Sequence, residues 1–138
     1  MKKKTIQWLT ITILLTFTLT STYAKSADDQ KAEQLFKAIV ASIAKVSGAL
    51  ENSNSTPQAT AALNNFAKEF RQIKSKIDNS SEEVQMAFVA NHGEELQLHI
   101  DTLKDTINTA STNGKFDEDN DAFIAAIMAA SSELTDDE

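Results

Sequence analysis

The chain has 138 residues, no cysteine, and 20 acidic against 13 basic residues, which gives a formal net charge of −7. The lack of cysteine excludes disulfide bonds, thiolate zinc sites and covalent attachment of haem. The acidic balance disfavours binding to nucleic acid and to anionic lipid, because like charges repel.

The first 24 residues have the layout of a secretory signal peptide. Three lysines follow Met1, residues 6–19 form an apolar stretch, and Thr22-Tyr23-Ala24 offers small residues for a cleavage site. The apolar stretch is short for a membrane span, which needs about 20 residues. We therefore predict a signal peptide at 1–24 and a single domain at 25–138, exported to the periplasm or the extracellular space. Loss of the leader's three lysines leaves this domain with a net charge of −10.

Apolar residues recur at alternating steps of three and four along the remaining chain, which is the spacing of amphipathic helices. The first predicted helix runs from about Asp28 to Leu50, with Ser26 as its N-cap. The second begins at Thr56-Pro57, where Thr56 caps and the proline fits the first turn. The expected core seams are Phe36, Ile39, Ile43, Val46 and Leu50 in the first helix, and Ala59, Leu63, Phe66, Phe70, Ile73 and Ile77 in the second.

The third predicted helix begins with Ser80 as N-cap and Glu83 three residues later, and it ends near Thr112 before Asn113-Gly114. The fourth is the shortest and is capped by Asp119 or Asn120. Its acidic tail opposes the helix dipole and is expected to fray. The expected seams are Met86, Val89, Gly93, Leu96, Ile100, Leu103, Ile107 and Ala110 in the third helix, and Phe123, Ile127, Ala130 and Leu134 in the fourth.

Four amphipathic helices with short connections predict an all-α fold, an antiparallel four-helix bundle with up-down-up-down order. The basic second helix complements the acidic third helix, so we expect these two to pack side by side. In that pairing Phe70 falls opposite Gly93, and the missing side chain would form a socket for the ring.

His92, Glu95 and His99 form the candidate metal site of the sequence. All three lie on one flank of the third helix, and two imidazoles with one carboxylate suit zinc or another divalent ion. The histidines are seven apart, however, whereas chelating pairs on one helix are normally four apart. Ordinary flank residues, with Glu95 paired to His99, are the competing interpretation. Haem held between a histidine and Met86 or Met128 is a further alternative.

Asp117, Asp119 and Asp121 alternate like the opening of a calcium-binding loop. Ala122 stands where such a loop needs glycine, and Met128 stands where it needs glutamate. Acidic residues at a helix N-terminus explain the same pattern.

No nucleophile beside a base and no paired catalytic carboxylates occur in the sequence. The sequence therefore predicts a non-enzymatic accessory protein of the envelope or exterior that binds a protein or peptide, including a second copy of itself. Displacement of the short fourth helix would expose a groove for an amphipathic helix. The alternative is a metal- or haem-binding bundle that uses the face of His92, Glu95 and His99.

Overall fold

The computed structural model of the chain describes residues 26–135, and every regular element in that range is an α-helix. The four helices are α1 (Ala27–Asn52), α2 (Thr56–Asp78), α3 (Glu82–Thr112) and α4 (Asp121–Thr135). The predicted all-α class with four helices is confirmed. The predicted signal peptide at 1–24 and the last three residues of the acidic tail lie outside the described residues.

Serine side chains begin the first three helices. Ser26 accepts a hydrogen bond from the amide of Asp29, whose carboxylate accepts one from the amide of Ser26, so the predicted cap is confirmed. For α2 the cap is Ser55, and the prediction of Thr56 is wrong by one residue. The Thr56 hydroxyl instead accepts from the amide of Asp117, in the connection before α4.

The cap of α3 is likewise one residue away from the prediction. Ser81 accepts from the amide of Val84 at 3.2 Å, whereas the hydroxyl of Ser80 donates to the carbonyl of Lys76. Adjacent hydroxyl residues compete for the cap position, and the path of the connecting chain decides between them. At the start of α4, Asn120 accepts from the amide of Phe123, which selects it over Asp119.

The connection from α3 to α4 also closes the end of α1. Gly114 has φ of +80°, the left-handed conformation that ends many helices, as predicted. The ammonium of Lys115 then donates to the carbonyls of Leu50 and Glu51 at the C-terminus of α1, where a positive charge is favourable. Phe116 is buried with its ring 5.5 Å from that of Phe123, so this connection contributes to the core.

The helices pair differently from the expectation. α1 packs along α3 and α2, and α2 packs along α4, whereas α2 and α3 touch at few points. The predicted pairing of α2 with α3 is therefore wrong as a main interface. The ring of Phe70 stacks on Phe66 at 5.2 Å and lies under Lys74. A register built from seam spacing fits any two helices with the same periodicity, so it could not identify the partner.

Polar contacts give the direction of two of these pairs. Asn91, early in α3, donates to Asp29 in the first turn of α1, and Lys115 beyond the end of α3 bonds the end of α1. α1 and α3 therefore run the same way. α2 and α4 also do, because Thr56 meets Asp117 at one end. At the other end Glu133 meets Arg71 and Lys74.

The core contains nearly all of the predicted seam. Two positions differ, because Met86 is 44% exposed and Ile127 is only partly buried. In the first turns of α3 the buried positions are instead Val84, Ala87 and Phe88, so this end of the helix is rotated toward α1 relative to the predicted seam.

Candidate functional site

The two histidines both contact Phe36 of α1. The imidazole of His92 stacks on the Phe36 ring with centroids 4.5 Å apart and planes 13° apart, and His99 meets the same ring at 6.1 Å and 61°. Phe88 approaches Phe36 edge-on at 6.5 Å. The Phe36 ring thus contacts both imidazoles, so packing against this ring explains why the two histidines are seven residues apart.

The proposed metal-binding face is not assembled into a donor cluster in the described part of the chain. Glu95 is exposed on α3, and no group of three or more His, Asp or Glu side chains within residues 26–135 is placed to hold a metal ion. The methionines considered as haem ligands are on the surface, Met86 at 44% and Met128 at 66% exposure. The histidines thus contribute to packing at the α1–α3 interface, and a cofactor site on this face stays a prediction.

The acidic connection before α4 is organised by its own backbone. The carboxylate of Asp117 accepts from the amide of Asp119, and its carbonyl accepts from the amide of Asn120. This turn directs Asn120 into its capping position, so the alternating acids have a structural role at the start of α4.

A long groove lies between α1 and α2 and is lined by side chains of both helices. Its deeper part encloses a cavity of about 440 Å³ with an apolar floor that includes Val46, Ala49, Ala62 and Phe66. The amides of Asn52, Gln58 and Asn65 stand around it. This volume and the mixture of an apolar floor with a few polar groups are typical of protein binding sites.

One ion pair crosses the groove. The carboxylate of Glu69 accepts hydrogen bonds from the Lys45 ammonium at 2.8 Å and from the Ser42 hydroxyl at 3.1 Å. The bond from Lys45 outweighs burial and, with that from Ser42, holds the pKa of Glu69 below its ordinary value. The carboxylate therefore stays ionised at neutral pH.

Beyond this pair the groove continues into a second hollow of about 260 Å³, lined on its far side by Ala38, Ile73 and Lys76. The ion pair divides the groove into two parts of unequal size.

Charge is divided unequally between the two halves of the protein. Residues 26–78, which form α1 and α2, carry seven basic and six acidic side chains, a net charge of +1. Residues 82–135, which form α3, the connection and α4, carry two basic and eleven acidic side chains, a net charge of −9. The groove is thus on the less acidic half.

Sequence reasoning missed the groove and one exposed leucine. The residues facing the groove are mostly alanine and polar side chains outside the predicted seams, and a one-dimensional pattern does not show that α1 and α2 bring them together. Leu98 is 67% exposed on α3 and was not among the predicted seam residues. Its position off the predicted seam of α3 was the available signal.

Comparison of the chain with family models, with curated proteins and with solved structures finds no match. Among residues 26–135, no helix combines the length and the apolar character needed to cross a membrane.

Proposed function

We propose that the chain is a non-enzymatic, exported protein that acts by binding another protein through the groove between α1 and α2. In this proposal the signal peptide at 1–24 is removed, and the remaining chain forms an up-down-up-down bundle in the periplasm or the extracellular space. Helices that follow each other in the chain are antiparallel in this bundle, while the packed pairs α1–α3 and α2–α4 are parallel. Export is proposed from the sequence of the leader alone.

The groove is the main support for this proposal. Its apolar floor offers area for hydrophobic burial, which is the main favourable contribution to most protein association. The amides around the 440 Å³ cavity offer hydrogen bonds that fix the orientation of a bound segment. A helix with small or medium apolar side chains on one face suits such a groove between two helices.

The side chains in the groove favour binding over catalysis. The hydroxyl of Ser42 donates to the Glu69 carboxylate, which is itself engaged by Lys45, and neither histidine lines the groove. Nucleophilic catalysis by serine needs a base that can take the hydroxyl proton, and a carboxylate held ionised by a lysine is a weak one.

A photo-crosslinking side chain placed at Asn65, an exposed groove residue, tests the proposal in cells that express the full-length chain. We expect a discrete crosslinked adduct that disappears when the groove is filled by Ala61→Trp on the same chain. The same probe at Ser132, which is exposed on α4, serves as the control and should give no such adduct. Absence of any adduct at Asn65, or an adduct unaffected by Ala61→Trp, would refute binding through the groove.

A further inference from the structure

We propose that the occupant of this groove is the outer face of α3 from a second copy of the chain, with Leu98 inserted against the groove floor. The inference rests on the proposed function and specifies its partner. It follows from the exposed side chain of Leu98, from the open groove between α1 and α2, and from the opposite charges beside these two surfaces.

Leu98 is the most exposed of the large apolar side chains in the described residues, at 67%. It stands in an acidic surround, since Glu94, Asp101 and Asp105 lie four residues before, three after and seven after it on the same face of α3. All three acids are exposed. The outer face of α3 is therefore a short amphipathic stripe with one apolar side chain between carboxylates.

The groove has the complementary arrangement. Its floor of Val46, Ala49 and Phe66 is apolar, and the 440 Å³ cavity has room for a leucine side chain. Small alanines on both helices allow a third helix to approach closely.

Basic side chains stand beside the groove. Lys76 lines the second hollow, and Lys68 is exposed three residues from Asn65 and four from Gln72, both groove residues. These lysines are eight residues apart on α2, a separation of about 12 Å along the helix. Glu94, Asp101 and Asp105 extend over eleven residues of α3, about 16 Å, so a helix lying along the groove can bring acids to both lysines.

The two surfaces belong to different parts of the molecule, so the contact joins them head to tail. Such a heterologous interface forms a ring if its rotation closes and a chain if it does not. In either assembly each copy contributes its groove to one contact and its Leu98 to another. The two surfaces can therefore be altered separately, and the resulting variants can be mixed.

The test compares two variants, Leu98→Asp and Ala61→Trp, made in the full-length chain and purified from the expressing cells. Analytical ultracentrifugation over a range of concentrations measures the mass. We expect the wild type to self-associate, less tightly at high salt, and each variant to lose at least ~30-fold in affinity, the loss expected when a hot-spot contact is removed. Met128→Asp, at an equally exposed methionine on α4, is the matched control and should associate like the wild type.

Mixing the two variants gives the decisive result. Leu98→Asp keeps an intact groove and Ala61→Trp keeps an intact leucine, so together they should form a dimer that cannot extend. Asn65→Trp replaces Ala61→Trp if circular dichroism shows that the latter does not fold. A monomeric wild type at all concentrations, unchanged association in both variants, or a mixture that stays monomeric would overturn the proposal.

Failure of this inference is distinguishable from failure of the proposed function. A monomeric wild type together with a groove adduct of a different mass at Asn65 would mean that the groove binds another protein. A monomeric wild type with no groove adduct would remove both proposals.

Discussion

Glu133 fixes α4 to α2, and neutralising its carboxylate should weaken the fold measurably. The side chain is only 12% exposed and accepts hydrogen bonds of 2.8 Å from Lys74 and from Arg71. In Glu133→Gln the amide keeps the shape but loses the charge, so Lys74, which is 19% exposed, faces a neutral group. Hydrogen bonds to charged groups contribute ~1.5–3 kcal/mol, and the pair with the exposed Arg71 contributes less because water screens it. We expect the free energy of unfolding to fall by about 2 kcal/mol and Tm by roughly 5–12 °C.

The pH dependence of this effect follows from the direction of the pKa shift. Burial raises the pKa of Glu133, but the hydrogen bonds from Lys74 and Arg71 outweigh it and hold the pKa below the ordinary value of 4.5. A group whose pKa is lower in the folded state contributes its stability above the unfolded pKa and loses it as pH falls through the folded pKa. The difference between wild type and Glu133→Gln should therefore be full at neutral pH and shrink below about pH 4.5.

Urea unfolding followed by far-ultraviolet circular dichroism measures both quantities. Glu118→Gln makes the same charge change at an exposed residue of the connection before α4, and it should alter stability by less than ~0.5 kcal/mol. If Glu133→Gln were no more destabilising than this control at neutral pH, or if its effect persisted undiminished in acid, the assignment of Glu133 as the ionised link between α2 and α4 would be refuted.

Two further predictions concern backbone conformation and the aromatic contact with the histidines. Gly48→Ala should stabilise α1 by ~0.5–1 kcal/mol, because a Cβ there meets nothing within 4 Å and glycine is unfavourable inside a helix. Gly114→Ala should destabilise by ~1–2 kcal/mol despite equally open space, since its φ is +80°; equal effects of the two changes in urea unfolding would contradict this explanation. Phe36→Ala should cost ~3–5 kcal/mol, because it empties the position between His92 and His99. In the same assay Leu98→Ala should change the stability of the monomer by less than ~0.5 kcal/mol, and a small loss for Phe36→Ala would argue against its buried position.

The helices were predictable from the sequence because each one satisfies a local condition. Burial of residues such as Ile39, Leu63 and Leu103 follows from steps of three and four, which place them on one side of a helix. Gly114 ends α3 for an equally local reason, its tolerance of positive φ. Local conditions do not determine which helices become neighbours, because heptad seams are interchangeable.

Contacts between residues far apart in the sequence determine the helix pairing and the groove, which the sequence pattern did not predict. The basic second helix was expected to pack beside the acidic α3, yet its Arg71 and Lys74 meet the single carboxylate of Glu133 in α4. Several acids on α3 offered a larger total charge, but exposed pairs contribute too little to select a neighbour against apolar packing. The candidate site was missed for the same reason, since the groove exists only where α1 and α2 lie side by side.

Two adjacent serines at the start of α3 test how well a local sequence pattern identifies the N-cap of a helix. Ser80 and Ser81 are adjacent and chemically identical, but only Ser81 accepts from the amide of Val84, while Ser80 donates to the exposed carbonyl of Lys76. Loss of an N-cap costs ~1 kcal/mol, whereas water can replace a hydrogen bond to an exposed carbonyl. We therefore expect Ser81→Ala to lower the free energy of unfolding by ~1 kcal/mol and Ser80→Ala by less than ~0.5 kcal/mol. The reverse order in urea unfolding would mean that the helix begins at the residue indicated by the sequence pattern, and that the connection between α2 and α3 follows a different path.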